Sequence, residues 1–183
     1  MRLSLKKAVE DLKSGGVIAY PTEAVWGLGC EPMNRHAVER LLQLKRRDWR
    51  KGLILIAADF AQLKPYVAVV AEDDLQKALA TWPGPHTWLF PASPAAPALI
   101  TGGRDSIAVR VSAHPVVIAL CRAYGGALVS TSANISRRVP ARSALQLRRC
   151  FGPSLDAIVA GELGGRATPT PIRDLRNGHL LRG

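Results

Sequence analysis

Lys45, Arg46, Arg47, Arg50 and Lys51 crowd positive charge into one short stretch, and Ser130-Thr131-Ser132-Ala133-Asn134 answers it much later in the chain with hydroxyls and an amide. A polyphosphate needs both kinds of group. Fixed cations meet its oxygens, and short polar donors meet the charge that builds during acyl or phosphoryl transfer. No Walker-type Gly-rich loop is present to do that work in the usual way.

Other residues could take part. Thr22 stands just after a strand-ending proline and before a Gly-x-Gly turn at Gly27 and Gly29. It is either a ligand hydroxyl or a turn stabiliser. The Gly-x-Gly alone is a weak signal, because the third glycine of a dinucleotide fingerprint is missing. Arg110 ends the apolar run Ile107-Ala108-Val109, and an arginine on the buried side of a strand needs an anion, either Asp105, Asp174 or a substrate carboxylate. The cations at 45–51 read equally as a phosphate clamp or a solvated helix end, and the Ser/Thr/Asn stretch as a phosphate cradle or an ordinary loop. No Ser-His-Asp arrangement and no carboxylate pair stands out. The chemistry suggested is positioning and charge stabilisation rather than proton shuttling.

These residues must be held by elements the sequence also announces. Ser4 caps an expected helix to about Ser14, with Leu5, Val9 and Leu12 as its apolar stripe, ended by Gly15-Gly16. Val17 to Tyr20 reads as a buried strand stopped by Pro21. Asn34 caps a second helix that turns Ala37, Val38, Leu41, Leu42 and Leu44 inward and delivers Lys45 and Arg47 at its C-terminal end, where the helix dipole favours cations. Strands are expected at 53–57, 87–90, 106–111, 127–130 and 156–160, and helices at 60–66, 73–81, 114–124 and 143–151. A terminal hairpin is expected around Asn177-Gly178. Thr22 and the Ser130–Asn134 stretch would then sit in loops at strand exits. Strands and helices mix without strict alternation, so the expected fold is a mixed α/β (α+β) domain over residues 1–183, a twisted mixed sheet flanked by helices in three layers.

Composition bounds the rest. The 183 residues, 48% of them hydrophobic, suffice for one ordinary core. No apolar run is long enough to span a bilayer, and the N-terminus lacks a signal core, so no membrane role is expected and the cytoplasm is the expected compartment. Cys30, Cys121 and Cys150 form no metal-binding spacing, and no structural metal is expected. Twenty-five Lys and Arg against 14 Asp and Glu give +11. That charge, clustered at 40–51, 137–149 and 166–182, suits a nucleotide or RNA partner.

Taken in order, PTEAVWGLGC (21–30), KRRDWRKGLILIA (45–57), WPGPHT (82–87), DSIAVRVSAHP (105–115), LVSTSAN (128–134) and IRD…LLRG (172–183) resemble the YrdC-like family, in its short TsaC-type branch of L-threonylcarbamoyladenylate synthases. The resemblance covers essentially the whole chain. It implies a nucleotidyltransferase that joins L-threonine, bicarbonate and ATP, with Mg²⁺, into threonylcarbamoyl-AMP and releases pyrophosphate. Partner proteins would take that adenylate into threonylcarbamoyladenosine of tRNA. The resemblance further implies that Lys45, Arg47, Ser132 and Asn134 are catalytic and grip phosphate, and that Lys51, Ser106, Ser130 and Arg182 complete the ATP site. Thr22, Arg110 and Thr170 would hold threonine. The sequence departs from the wider family at Trp26, Gly52, Ile56, Ser136-Arg137 and Thr170. The alternative reading of the same charge is a non-catalytic RNA-binding or ribosome-maturation factor, with tRNA or other RNA in the basic cleft.

Overall fold

Residues 2–168 and 170–182 are described by a computed structural model of the chain, without the side chains of Arg2, Leu3 and Arg182. In chain order, α1 is Arg2–Lys13, β1 Ile18–Pro21, β2 Trp26–Gly29, α2 Arg35–Leu44, β3 Ile54–Ala57, α3 Glu72–Leu79, β4 Thr87–Pro91 and α4 Ala98–Thr101. Then follow β5 Ser106–Val111, α5 Pro115–Tyr124, β6 Leu128–Ser132, α6 Ala144–Phe151, β7 Ala157–Ile158, β8 Ile172–Asp174 and β9 Leu180–Arg182. The strands form a sheet of order β7-β1-β2-β6-β3-β5-β4-β8-β9. It is mixed: β1 with β7, β3 with β5 and β4 with β8 run parallel, and the other neighbours antiparallel.

The two-residue period of each strand sorts the core into layers. On one face Val17, Ala19, Leu55, Ala57, Val109 and Val129 pack with Val38 and Leu41 of α2, Ile100 of α4 and Leu147 of α6. On the other, Ile18, Tyr20, Ile56 and Leu128 pack with Ala8 and Leu12 of α1 and Val117 and Leu120 of α5. Burying each large aliphatic side chain fully is worth about 1.5–3 kcal/mol. This is the three-layer mixed sheet that the sequence predicts.

The cap expected at Asn34 forms, Asn34 Oδ1 accepting from the Ala37 N–H at 3.0 Å; Ser143, expected only as the start of a helix, also caps it, its Oγ accepting from the Gln146 N–H at 3.2 Å. Ser4 is no cap, since α1 already begins at Arg2. The helix expected at 60–66 is two short 3-10 turns, Phe60–Gln62 and Lys64–Tyr66. Pro65 cannot donate the backbone bond that would join them.

The largest correction concerns Gly27 and Gly29. They form no turn but lie in β2, paired antiparallel to β1 with Tyr20 opposite Gly27. A Cβ on Gly29 would stand 2.4 Å from the Val129 carbonyl oxygen and 2.8 Å from the Tyr20 ring, so only glycine lets that ring lie across the strand. Thr131 and Ser132 likewise belong to β6 itself rather than to a loop after it, lengthening the strand expected at 127–130.

Candidate active site

Helices α1 and α5 cover only part of their sheet face. Beyond Ile56 and Leu128, the same faces of β3 and β6 continue as Ile54 and Ser130. Leu89, Ala108, Ile54 and Ser130 stand side by side in register across β4, β5, β3 and β6. Together with Gly27 they line a cleft of about 260 Å³. Small side chains in this floor leave depth for a ligand, and Ile54 and Leu89 give it an apolar patch.

The cations arrive through local backbone geometry. At the end of α2 the Arg47 N–H donates to the Leu42 carbonyl and the Arg46 N–H to that of Gln43, both at 2.9 Å. These two bonds define a Schellman ending, and Arg46 takes the left-handed position at φ 48° where glycine is usual. The reversal sends Lys45 and Arg47 to different tasks. Asp48 then caps a 3-10 turn, Trp49–Lys51, that ends at Gly52 with φ 67°.

Lys45 is buried and does not line the cleft. Its ammonium donates to the Ser132 carbonyl, to the Asn134 carbonyl at 2.9 Å and to Asn134 Oδ1 at 3.3 Å. Burial, and then the nearby Arg47 charge, bring it down from 10.5 to about 7. Asn134 Oδ1 also accepts from Ser132 Oγ at 2.6 Å, while Asn134 Nδ2 donates to the Ile135 and Arg138 carbonyls at 3.0 and 2.8 Å. Lys45 and Asn134 thus form a brace between α2 and the end of β6. Arg47 and Ser132 are the members of this group that reach the cleft wall. Arg47 Nη2 donates to the Gly52 carbonyl at 2.9 Å.

At the other end, Arg110 is buried and pairs with Glu23: Nη2 lies 3.1 Å from Oε2. Arg110 Nη1 donates to Thr170 Oγ1 at 3.1 Å, and Glu23 Oε1 accepts from Ser112 Oγ at 2.7 Å. Desolvation lowers the Arg110 pKa, partly offset by the Glu23 charge. The carboxylate is therefore neither Asp105 nor Asp174; Asp105 is exposed, and Asp174 Oδ1 accepts from the Arg176 N–H in the β8–β9 loop. Thr22 Oγ1 donates to the Val25 carbonyl at 2.8 Å, so it holds its turn while also lining the cleft.

Of the residues singled out from sequence, Thr22, Arg47, Lys51, Ser106, Arg110, Ser130, Ser132 and Thr170 share this one cleft. Lys45 and Asn134 stand behind its wall. Arg182 falls in β9, and its side chain lies outside the described residues. Thr131, from the hydroxyl-rich stretch the sequence singles out, lines it too; sequence reasoning missed Glu23 and Arg104, which also line the cleft. Glu23 offered one signal, an acid directly beside Thr22 in an acid-poor chain. Arg104 offered none beyond its place before the Asp105–Val111 segment. Among the described residues, no group of three or more His, Cys, Asp or Glu is placed to hold a metal ion, and no helix is long and apolar enough to cross a membrane.

Residues 10–183 match the Sua5/YciO/YrdC family, described as "Telomere recombination". A threonylcarbamoyl-AMP synthase of Halorhodospira halophila is 58% identical over 97% of this chain and 93% of its own length. Another, from Stenotrophomonas maltophilia, is 53% identical over 98% of each chain. The crystal structure of P. abyssi Sua5 complexed with L-threonine superposes with a TM-score of 0.92 at 31% identity. All of this chain is covered, but it spans only 54% of the P. abyssi protein.

Proposed function

The chain belongs to the Sua5/YciO/YrdC family, and from that premise we propose that it is a threonylcarbamoyl-AMP synthase using L-threonine, bicarbonate and ATP. The observation that carries this reading is the sharing of one cleft by two chemically distinct groups of residues. Arg110, tied to Glu23 and Thr170, lines it with Thr22, and so do the cations Arg47 and Lys51 with Ser132. The full-length relatives named as synthases and the threonine-bound relative support it.

The threonine carboxylate is directed by Arg110, whose charge Glu23 already balances in part, with the Thr22 and Thr170 hydroxyls beside it. The amine nitrogen condenses with bicarbonate, forming an N–C bond and losing water. A carbamate oxygen then attacks the α-phosphate, and the bond to the β-phosphate breaks to release pyrophosphate. Arg47 and Lys51 neutralise the departing phosphates, while Ser106, Ser130 and Ser132 orient the nucleotide. Lys45 and Asn134 act from behind, fixing the strand end that presents Ser132.

Mg²⁺ fits as a companion of ATP rather than a resident ion. Glu23, the carboxylate among the described lining residues, is engaged by Arg110, and the other polar groups there are hydroxyls and cations. When bound, the metal would offset charge on the β- and γ-phosphates. The reading also takes residues 1–183 as one domain working in the cytoplasm, its product passing to proteins that modify tRNA.

The test is to mix the purified protein with ATP, Mg²⁺, bicarbonate and threonine. Threonine-dependent pyrophosphate release with a new adenylate is expected. Tight RNA binding without that product would favour a non-catalytic RNA-binding role for the basic surface.

A further inference from the structure

Two guanidiniums converge on Gly52. Arg47 Nη2 donates to its carbonyl at 2.9 Å, and Arg104 Nη2 occupies the space where a Gly52 Cβ would stand, 2.5 Å from it. A Cβ on Gly102 would also lie 3.0 Å from the same Arg104 nitrogen. Both glycines have left-handed φ, 67° and 70°, and Arg104 Nη1 donates to the Arg50 carbonyl at 2.7 Å. The guanidinium of Arg104 therefore lies in a slot formed by two glycines and fixed by a main-chain oxygen. Among the described residues, no carboxylate forms an ion pair with Arg104. It lines the cleft with Arg47, Lys51, Thr101 and Ser106.

Like charges gathered on one wall repel until an anion joins them, and a planar guanidinium whose Nη1 is fixed by a main-chain oxygen keeps further N–H donors for phosphate oxygens. We infer that Arg104 is a further ligand of the pyrophosphate portion of ATP, acting beside Arg47 and Lys51 as substrate is bound and pyrophosphate leaves. Gly52 and Gly102 are the residues that make room for it. Gly52 would thus earn its place by admitting Arg104 to the wall. The inference rests on the synthase reading for the identity of the anion, but the site itself binds any pyrophosphate-like group.

Inorganic pyrophosphate is titrated calorimetrically into the full chain without threonine, and turnover is followed against ATP and against threonine. Arg104→Ala should weaken pyrophosphate binding and raise the KM for ATP by about tenfold each, leaving the threonine KM within about twofold. Arg104→Lys keeps the charge but not the fork, and should recover only part of the loss. Unchanged pyrophosphate affinity in Arg104→Ala would overturn the inference, and so would equal losses for ATP and threonine, which would indicate a general collapse of the cleft. If the wild-type chain forms no adenylate yet Arg104→Ala still loses pyrophosphate, the anion site stands and only the synthase reading falls.

Discussion

The Lys45 ammonium lies 2.9 Å from the Asn134 carbonyl oxygen, joining the end of α2 to the end of β6 across 89 positions of sequence. The two polar segments are thus bound to each other before any ligand arrives. Lys45 works as an internal brace, and the outward charge at this point of the wall falls to Arg47.

Removing the brace should hurt both stability and turnover. Lys45→Ala strips donors from the Ser132 and Asn134 carbonyls and from Asn134 Oδ1, costing about 2–4 kcal/mol in urea unfolding. Turnover should fall at least about tenfold, or 1.4 kcal/mol of barrier. Arg47→Ala should lower turnover by a similar factor with little loss of stability, because its half-buried side chain lies at the cleft wall. Equal thermal shifts in the two variants would contradict this division of labour.

The same lysine gives the fold a pH dependence. Its folded pKa is depressed from 10.5 to about 7, so between these values the unfolded chain binds more protons than the folded one. Stability from this group therefore rises with pH through that window and is flat below about pH 7, where both states are protonated. Relative to Lys45→Met, the wild type should gain about 2 kcal/mol between pH 7 and pH 9. A difference between the two proteins that does not change with pH would mean that the amine titrates normally.

Glu23 and Arg110 should behave as a coupled pair. Glu23→Ala leaves a buried guanidinium without its carboxylate and should cost about 3–5 kcal/mol. Removing both side chains should cost less than the sum of the single losses. Arg110→Ala should chiefly raise the threonine KM. Additive stability losses would show that the two side chains do not interact, and an unchanged threonine KM would leave Arg110 a purely structural role.

Arg46 offers a gain. It holds φ 48° at a helix ending that normally takes glycine. Arg46→Gly should stabilise the fold by about 1 kcal/mol, read as a higher melting temperature. A lower melting temperature would mean that the Arg46 side chain contributes more than its backbone conformation costs.

The strongly periodic or capped elements were legible in the sequence. Asn34 announced α2, and the apolar runs announced β3 and β5. Strand β2 was hidden because Gly27 and Gly29 look like a turn; their actual reason is the Tyr20 ring, a tertiary contact invisible in local pattern. Most of the cleft residues were legible as types, yet their division into wall and brace was not. The left-handed turn at Arg46 separates Lys45 from Arg47, and nothing in that residue's identity signals such a conformation. Glu23 escaped because its partner is 87 positions away. Arg104 escaped because the slot that holds it is made of glycines.

The most direct measurement supplies carbon-13 bicarbonate with L-threonine and ATP, and follows the adenylate by mass spectrometry. The account predicts one labelled carbon in a threonine-containing AMP adduct, formed in step with pyrophosphate. Pyrophosphate release that ignores threonine, or an adenylate without the label, would contradict it.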